Sequence, residues 1–132
     1  MDAAVLCELQ NRRRRQLILL NEVLDLSTQM LQGMERNDQV SVKILLSMRQ
    51  DPILKLQEIE NGIRSYLLLL PEEDAIRAHE LLRGAPSEES GEEALCAQTA
   101  QFRRLLENAI KLDKRLSLGL SGKSSFYNNF RE

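Results

Sequence analysis

The stretch from Leu6 to Met34, LCELQNRRRRQLILLNEVLDLSTQMLQGM, decides the fold. Residues that are apolar or can sit in a packed seam recur there at alternating gaps of three and four: Leu6, Gln10, Arg13, Leu17, Leu20, Leu24, Ser27, Leu31 and Met34. An α-helix returns to one face at that spacing, whereas a strand alternates every second residue, so the pattern predicts one helix from about Asp2 to Arg36. Leu9, Val23 and Met30 widen the stripe, as a helix packed against two neighbours requires. Gly33 is its weak point, Asn37-Asp38 ends it, and Asp38 is placed to cap the next helix.

A second seam steps through Leu45, Arg49, Pro52, Leu56, Ile59, Ile63, Tyr66 and Leu70, with Val42, Leu46, Ile53 and Leu67 alongside. Proline removes a backbone donor and clashes with the preceding turn, and Asp51-Pro52 also reads as a cap followed by a first helical residue. A break or kink is therefore expected near Pro52. Leu67 to Leu70 could pass for a buried strand, but the helical phase runs into it and β-branched partners are lacking, so helix is favoured. From Pro71, PEEDAIRAHELLRG has acids in its first turn and Gly84 as a stop, which predicts a short helix. APSEESGEE, nearly free of apolar side chains, predicts the longest loop. Leu95, Phe102, Leu105, Ala109, Leu112 and Leu116 mark a last long helix from about Glu92 to Leu118, ended by Gly119 and Gly122.

The rest of the composition agrees. The 132 residues suit one domain; 42% hydrophobic and 29% charged residues exclude a disordered chain and a membrane-spanning one. With 4% aromatic residues and no Trp, the core must be aliphatic, which favours a helical bundle over a β-sandwich. A net charge of −2 supplies no overall field for nucleic acid or an anionic membrane. The opening MDAAVLCELQ has no basic leader followed by an apolar run, so a cytoplasmic protein is expected.

Each chemically suggestive feature has a plain alternative. Arg12 to Arg15 resemble a basic patch, but at about 100° per residue four consecutive side chains fan around the helix and cannot form one face. Arg13 falls in the seam, where its stem should pack while its head reaches solvent. His79 is the only histidine, so neither a metal pair nor a catalytic triad can be assembled around it, and a surface or structural role is expected. Cys7 and Cys96 lack the spacing of a disulfide framework or zinc site and read as reduced thiols. Ser121-Gly122-Lys123-Ser124 imitates the end of a phosphate-binding loop without its upstream glycines or preceding strand. Residues 71–93 hold eight acids and two bases, which a solvated segment explains as well as a docking surface does. No catalytic, cofactor or metal residue is assigned, and an enzyme is the least favoured class.

The C-terminal segment GLSGKSSFYNNFRE stands apart. Phe126, Tyr127 and Phe130 follow a Gly/Ser-rich lead-in, and aromatic side chains carry much of the contact energy of typical interfaces. Two readings stay open: the tail covers a bundle end, or it binds a partner. A helical bundle over 1–118 with a flexible aromatic tail over 119–132 is the expected organisation.

The combination of size, helix order, the turn ERNDQVSVKILLSMRQ, the pairs Leu46/Arg49 and Leu56/Ile59, and the closing LLENAIKLDKRLSLGLSGKSSFY resembles the FlgN/FliT-like flagellar export chaperones. The resemblance implies a cytosolic helical chaperone that holds a hook-associated or filament-cap protein before type III secretion and prevents its premature assembly. The export apparatus and a second copy of the chain are further candidate partners; nucleic acid and membrane insertion are not expected. Family members present their C-terminal helical region to clients. Carried onto this chain, that region offers Leu105, Leu112, Leu116, Leu118, Leu120, Phe126, Tyr127 and Phe130 as partner-binding residues. The competing reading is a non-enzymatic coiled-coil adaptor or regulatory subunit binding a helical partner. Either way the expected fold is all-α: an elongated antiparallel bundle of three long helical stretches, the middle one kinked or broken near Pro52, plus one short helix.

Overall fold

The computed structural model describes residues 1–119. Four helices, α1 (Ala3–Glu35), α2 (Gln39–Leu67), α3 (Glu72–Leu82) and α4 (Glu93–Gly119), account for the architecture, with no strand among the described residues. Asp2 caps α1 by accepting the Ala4 N–H at 3.1 Å. Asn37 adopts a left-handed φ of 57°, which short polar residues tolerate best, and reverses the chain. Asp38 then caps α2 as expected: one carboxylate oxygen accepts the Ser41 N–H at 3.1 Å and the other its hydroxyl at 2.6 Å.

The long helices run up, down and up. Leu6 and Leu9 of α1 meet Leu95 at the start of α4, while Met30 near the end of α1 meets Val42 of α2 and Leu116 of α4. Hence α2 is antiparallel to both neighbours and α1 and α4 are parallel. Leu17, Leu20 and Val23 share the central cluster with Ile53 and Leu56 of α2 and with Phe102, Leu106, Ala109 and Ile110 of α4. Helix α1 packs along both other long helices, but the α2 and α4 backbones approach each other closely almost nowhere.

The buried face of α1 consists of two rows seven residues apart, Leu6/Arg13/Leu20/Ser27 and Leu9/Gln16/Val23/Met30. The second row is the innermost: all four of its members have 0% exposure. The sequence seam instead placed Gln10, Leu17, Leu24 and Leu31 beside the first row, and of these only Leu17 is buried. The offset arises because Gln16 is a polar member of the central row, made tolerable by hydrogen bonds to Arg13 and Glu60. In α4 the row Leu95, Phe102, Ala109, Leu116 is buried as anticipated, with buried Thr99 and Leu106 beside it.

Of the break or kink expected near Pro52, the break does not occur: helix α2 is continuous through it. Pro52 lies on the buried face with Arg49 and Ile53, where burial offsets the lost backbone hydrogen bond, and Asp51 pairs with Lys55 at 2.9 Å instead of capping a new helix. Gly33 also has a packing reason. A Cβ there would lie 2.9 Å from Val42 Cγ2, so its absence lets α1 and α2 approach closely beside their turn. Helix α4 extends through Gly119, one residue beyond the expected domain edge.

The short α3 closes the end where α2 finishes and α4 begins, with Ala78 and Leu81 fully buried against Leu6, Leu9 and Leu95. The loop that follows is fastened by a polar latch. Glu92 is 1% exposed and receives Arg77 Nη2 at 2.7 Å and Nε at 3.1 Å, together with the N–H groups of Glu88 at 3.0 Å and Glu89 at 3.2 Å. The Arg77 guanidinium first, and then the two backbone donors, hold the Glu92 carboxyl down at about 2 from its ordinary 4.5.

A depressed carboxyl pKa stabilises the fold above its ordinary value and loses that contribution as pH falls through the folded one. Glu92→Gln should lower the parent's melting temperature by roughly 5 °C at pH 7. The difference between the two proteins should narrow as pH drops from 4.5 toward 2, a trend measurable by circular dichroism melts at stepped pH. Equal melting temperatures at neutral pH would show that the latch contributes nothing.

Candidate partner-binding crevice

Because α2 and α4 diverge above α1, a crevice of about 480 Å³ opens between them, with α3 closing one end. Ile63 and Leu67 of α2, Leu82 of α3 and Phe102, Leu106 and Ile110 of α4 line it with apolar surface. Arg64, His79, Arg83, Arg103 and Glu107 are its exposed rim. Beyond the crevice Arg49 spans the α2/α4 interval to Asp113 at 3.5 Å and donates to Ser27 of α1 at 3.1 Å.

Arg13 forms part of the lining, and its position differs from the sequence expectation. The guanidinium does not reach solvent: the residue is 4% exposed, with Nη1 donating to Gln16 Oε1 at 2.7 Å and Nη2 to the Leu82 carbonyl at 2.8 Å. Its head stacks over the Phe102 ring at 4.5 Å. The Leu82 carbonyl belongs to the last turn of α3, where helical carbonyls lack partners and a cation is favoured. Arg13 turns inward because these acceptors and the aromatic face replace water. The replacement is incomplete. Nε is buried without a hydrogen-bond partner, and no carboxylate among the described residues lies within 4 Å, Glu60 being reached through Gln16 at 3.0 Å. Burial pulls the Arg13 pKa down to about 10 against the opposing influence of Glu60.

The other arginines of the run divide as a helical fan should. Arg12 bonds Glu8 at 3.0 Å and lies over the Tyr66 ring at 5.1 Å, whereas Arg14 and Arg15 are exposed. Among the partner-binding candidates, Leu105 and Leu112 are half-buried on the flanks of α4. Leu116 is 2% exposed and packs in the core with Met30 and Val42. Leu118 is 91% exposed. Leu120, Phe126, Tyr127 and Phe130 lie outside the described residues.

Residues that the sequence reading missed are Arg64, Arg83 and Arg103, ordinary surface arginines until α2, the end of α3 and α4 bring them around one opening. Gln16 had a legible signal: it sits seven residues from both Leu9 and Val23. His79 is exposed on the crevice rim, Cys7 is exposed, and the half-buried Cys96 donates to the Ala85 carbonyl at 3.5 Å, with burial raising its thiol pKa. No cluster of three or more metal-binding side chains occurs among the described residues, and no described helix is long and apolar enough to cross a membrane.

The geometry defines an all-helical protein with a mixed apolar and cationic crevice. Compared with models of protein families, with curated proteins and with solved structures, the chain matches none.

Two substitution series probe the crevice lining and the arginine run. Arg13→Ala should destabilise the fold by about 3 kcal/mol, because it leaves a void and strips Gln16 and the Leu82 carbonyl of their donor, whereas Arg13→Met should remain within about 1 kcal/mol of the parent. Urea denaturation measures both, and equal losses would mean that the hydrogen bonds both variants lack, not packing, decide the cost there. Arg14→Gln with Arg15→Gln should leave retention on RNA and DNA columns at background, since the four side chains do not share a face; selective retention abolished by that pair would restore the nucleic-acid reading.

Proposed function

We propose that this protein is a non-enzymatic chaperone that binds flagellar axial proteins of the hook-associated or filament-cap type in the cytoplasm and keeps them from assembling before type III export. The observation that supports the reading best is the crevice between α2 and α4: the bundle buries α1 on two sides and leaves an apolar-floored gap that a client helix can enter. Helix-in-groove binding suits that task. The segments by which axial proteins polymerise would be covered while the rest of the client stays free. Leu118, exposed at the end of α4, adds an apolar side chain next in sequence to the C-terminal segment that the family resemblance implicates.

A second reading has its own support. Val40, Ile44 and Met48 are all exposed and fall at four-residue steps on the first half of α2, forming an apolar stripe on the side of an adaptor that would bind a helical partner or a second copy.

The two readings separate by experiment. Mixed with purified hook-associated or cap protein, the chain should form a soluble complex and suppress client polymerisation followed by light scattering. Leu118→Ser, a chain ending at Leu120, and the triple replacement of Phe126, Tyr127 and Phe130 by Ser should each weaken that complex, by roughly tenfold or more for the triple variant, while shifting the melting temperature little. Failure of every axial protein to bind, with dimerisation lost on Ile44→Ser, would replace the chaperone reading with the adaptor.

A further inference from the structure

Four arginines surround the crevice, Arg13 within it and Arg64, Arg83 and Arg103 at its rim, against two carboxylates, Glu60 and Glu107. This is a local excess of positive charge on a chain whose net charge is −2. Two of the rim arginines have little internal work: Arg64 meets Glu60 only at 3.9 Å, and Arg83 at the end of α3 uses its backbone, not its side chain, to cap the helix. Arg103 donates to the Arg83 carbonyl. Between them Arg13 keeps a buried Nε with no partner beside the Phe102 ring. An unpaired donor on a buried cation is costly, and an anionic group entering from solvent would offset that cost.

We propose that the crevice selects an acidic amphipathic helix of a partner protein, its apolar side chains resting on Leu67, Phe102 and Leu106 and its flanking carboxylates meeting Arg64, Arg83 and Arg103. The inference rests on the helix-docking reading above and adds the sign of the partner's charge. Charge complementarity singles out this occupant. Residues 120–132 of the chain itself carry Lys123 and Arg131 against Glu132 and so do not supply an excess of acid. An opposed pattern of charges also gives specificity, because a lysine-flanked helix with the same apolar stripe would face like charges.

The test uses the full-length chain and two synthetic 18-residue helical peptides with identical leucine seams, one flanked by glutamates and one by lysines, titrated by fluorescence anisotropy. The glutamate peptide should bind at least roughly tenfold more tightly at low salt, and the gap should narrow as ionic strength rises. Arg64→Glu with Arg83→Glu should abolish or invert the preference, while Arg64→Gln with Arg83→Gln should reduce it; circular dichroism verifies that each variant is folded. Equal binding of the two peptides, binding of neither, or a preference that survives the charge reversal overturns the proposal. So does a tenfold gain in glutamate-peptide affinity on removing residues 120–132, which would assign the crevice to the chain's own tail, or a parent dimer that charge reversal dissociates, which would assign it to a second copy. Selective binding of the glutamate peptide without any axial-protein complex would leave this inference standing and reject only the flagellar assignment.

Discussion

The Arg13 guanidinium is the interaction through which all four helices are joined. It issues from α1, bonds the terminal carbonyl of α3, stacks on Phe102 of α4 and reaches Glu60 of α2 through Gln16. A cation in so dry a place requires most of these partners at once, since each missing acceptor leaves a desolvated donor. The register of α1 against α2, the height of α3 and the phase of α4 are thereby coupled at one level of the bundle. A second polar layer, Ser27, Arg49 and Asp113, repeats the device nearer the other end. Apolar rows can slide by a heptad and find similar neighbours, whereas two polar layers at set heights admit one alignment.

The same constraint explains why a crevice exists. Helix α1 is buried by α2 on one side and α4 on the other, and the long side chains at its centre, Arg13 and Gln16, hold those neighbours apart where α3 wedges between their ends. Stability and the proposed recognition meet at Arg13, whose buried Nε has no hydrogen-bond partner beside the opening. At the capped end, the Arg77–Glu92 latch supplies stability by another route, with every oxygen of the buried carboxylate engaged.

What the chain determined by itself was its helices, their order and most of their ends. The three-four spacing, the cap at Asp38 and the stop at Gly84 are local consequences of backbone hydrogen bonding and side-chain periodicity, and they are readable because each depends on residues within a turn or two. What tertiary structure decided was which residues those helices would bury. Gln16 and Arg13 entered the core because Glu60 and the Leu82 carbonyl, 44 and 69 residues away in sequence, supplied acceptors. Pro52 stayed inside a helix on its buried face, and Leu116 became core because Met30 and Val42 arrive at the same height. The crevice was decided wholly at this level. Its arginines come from α1, α2, α4 and the residue that caps α3, and they surround one opening only once long-range packing has set those elements side by side.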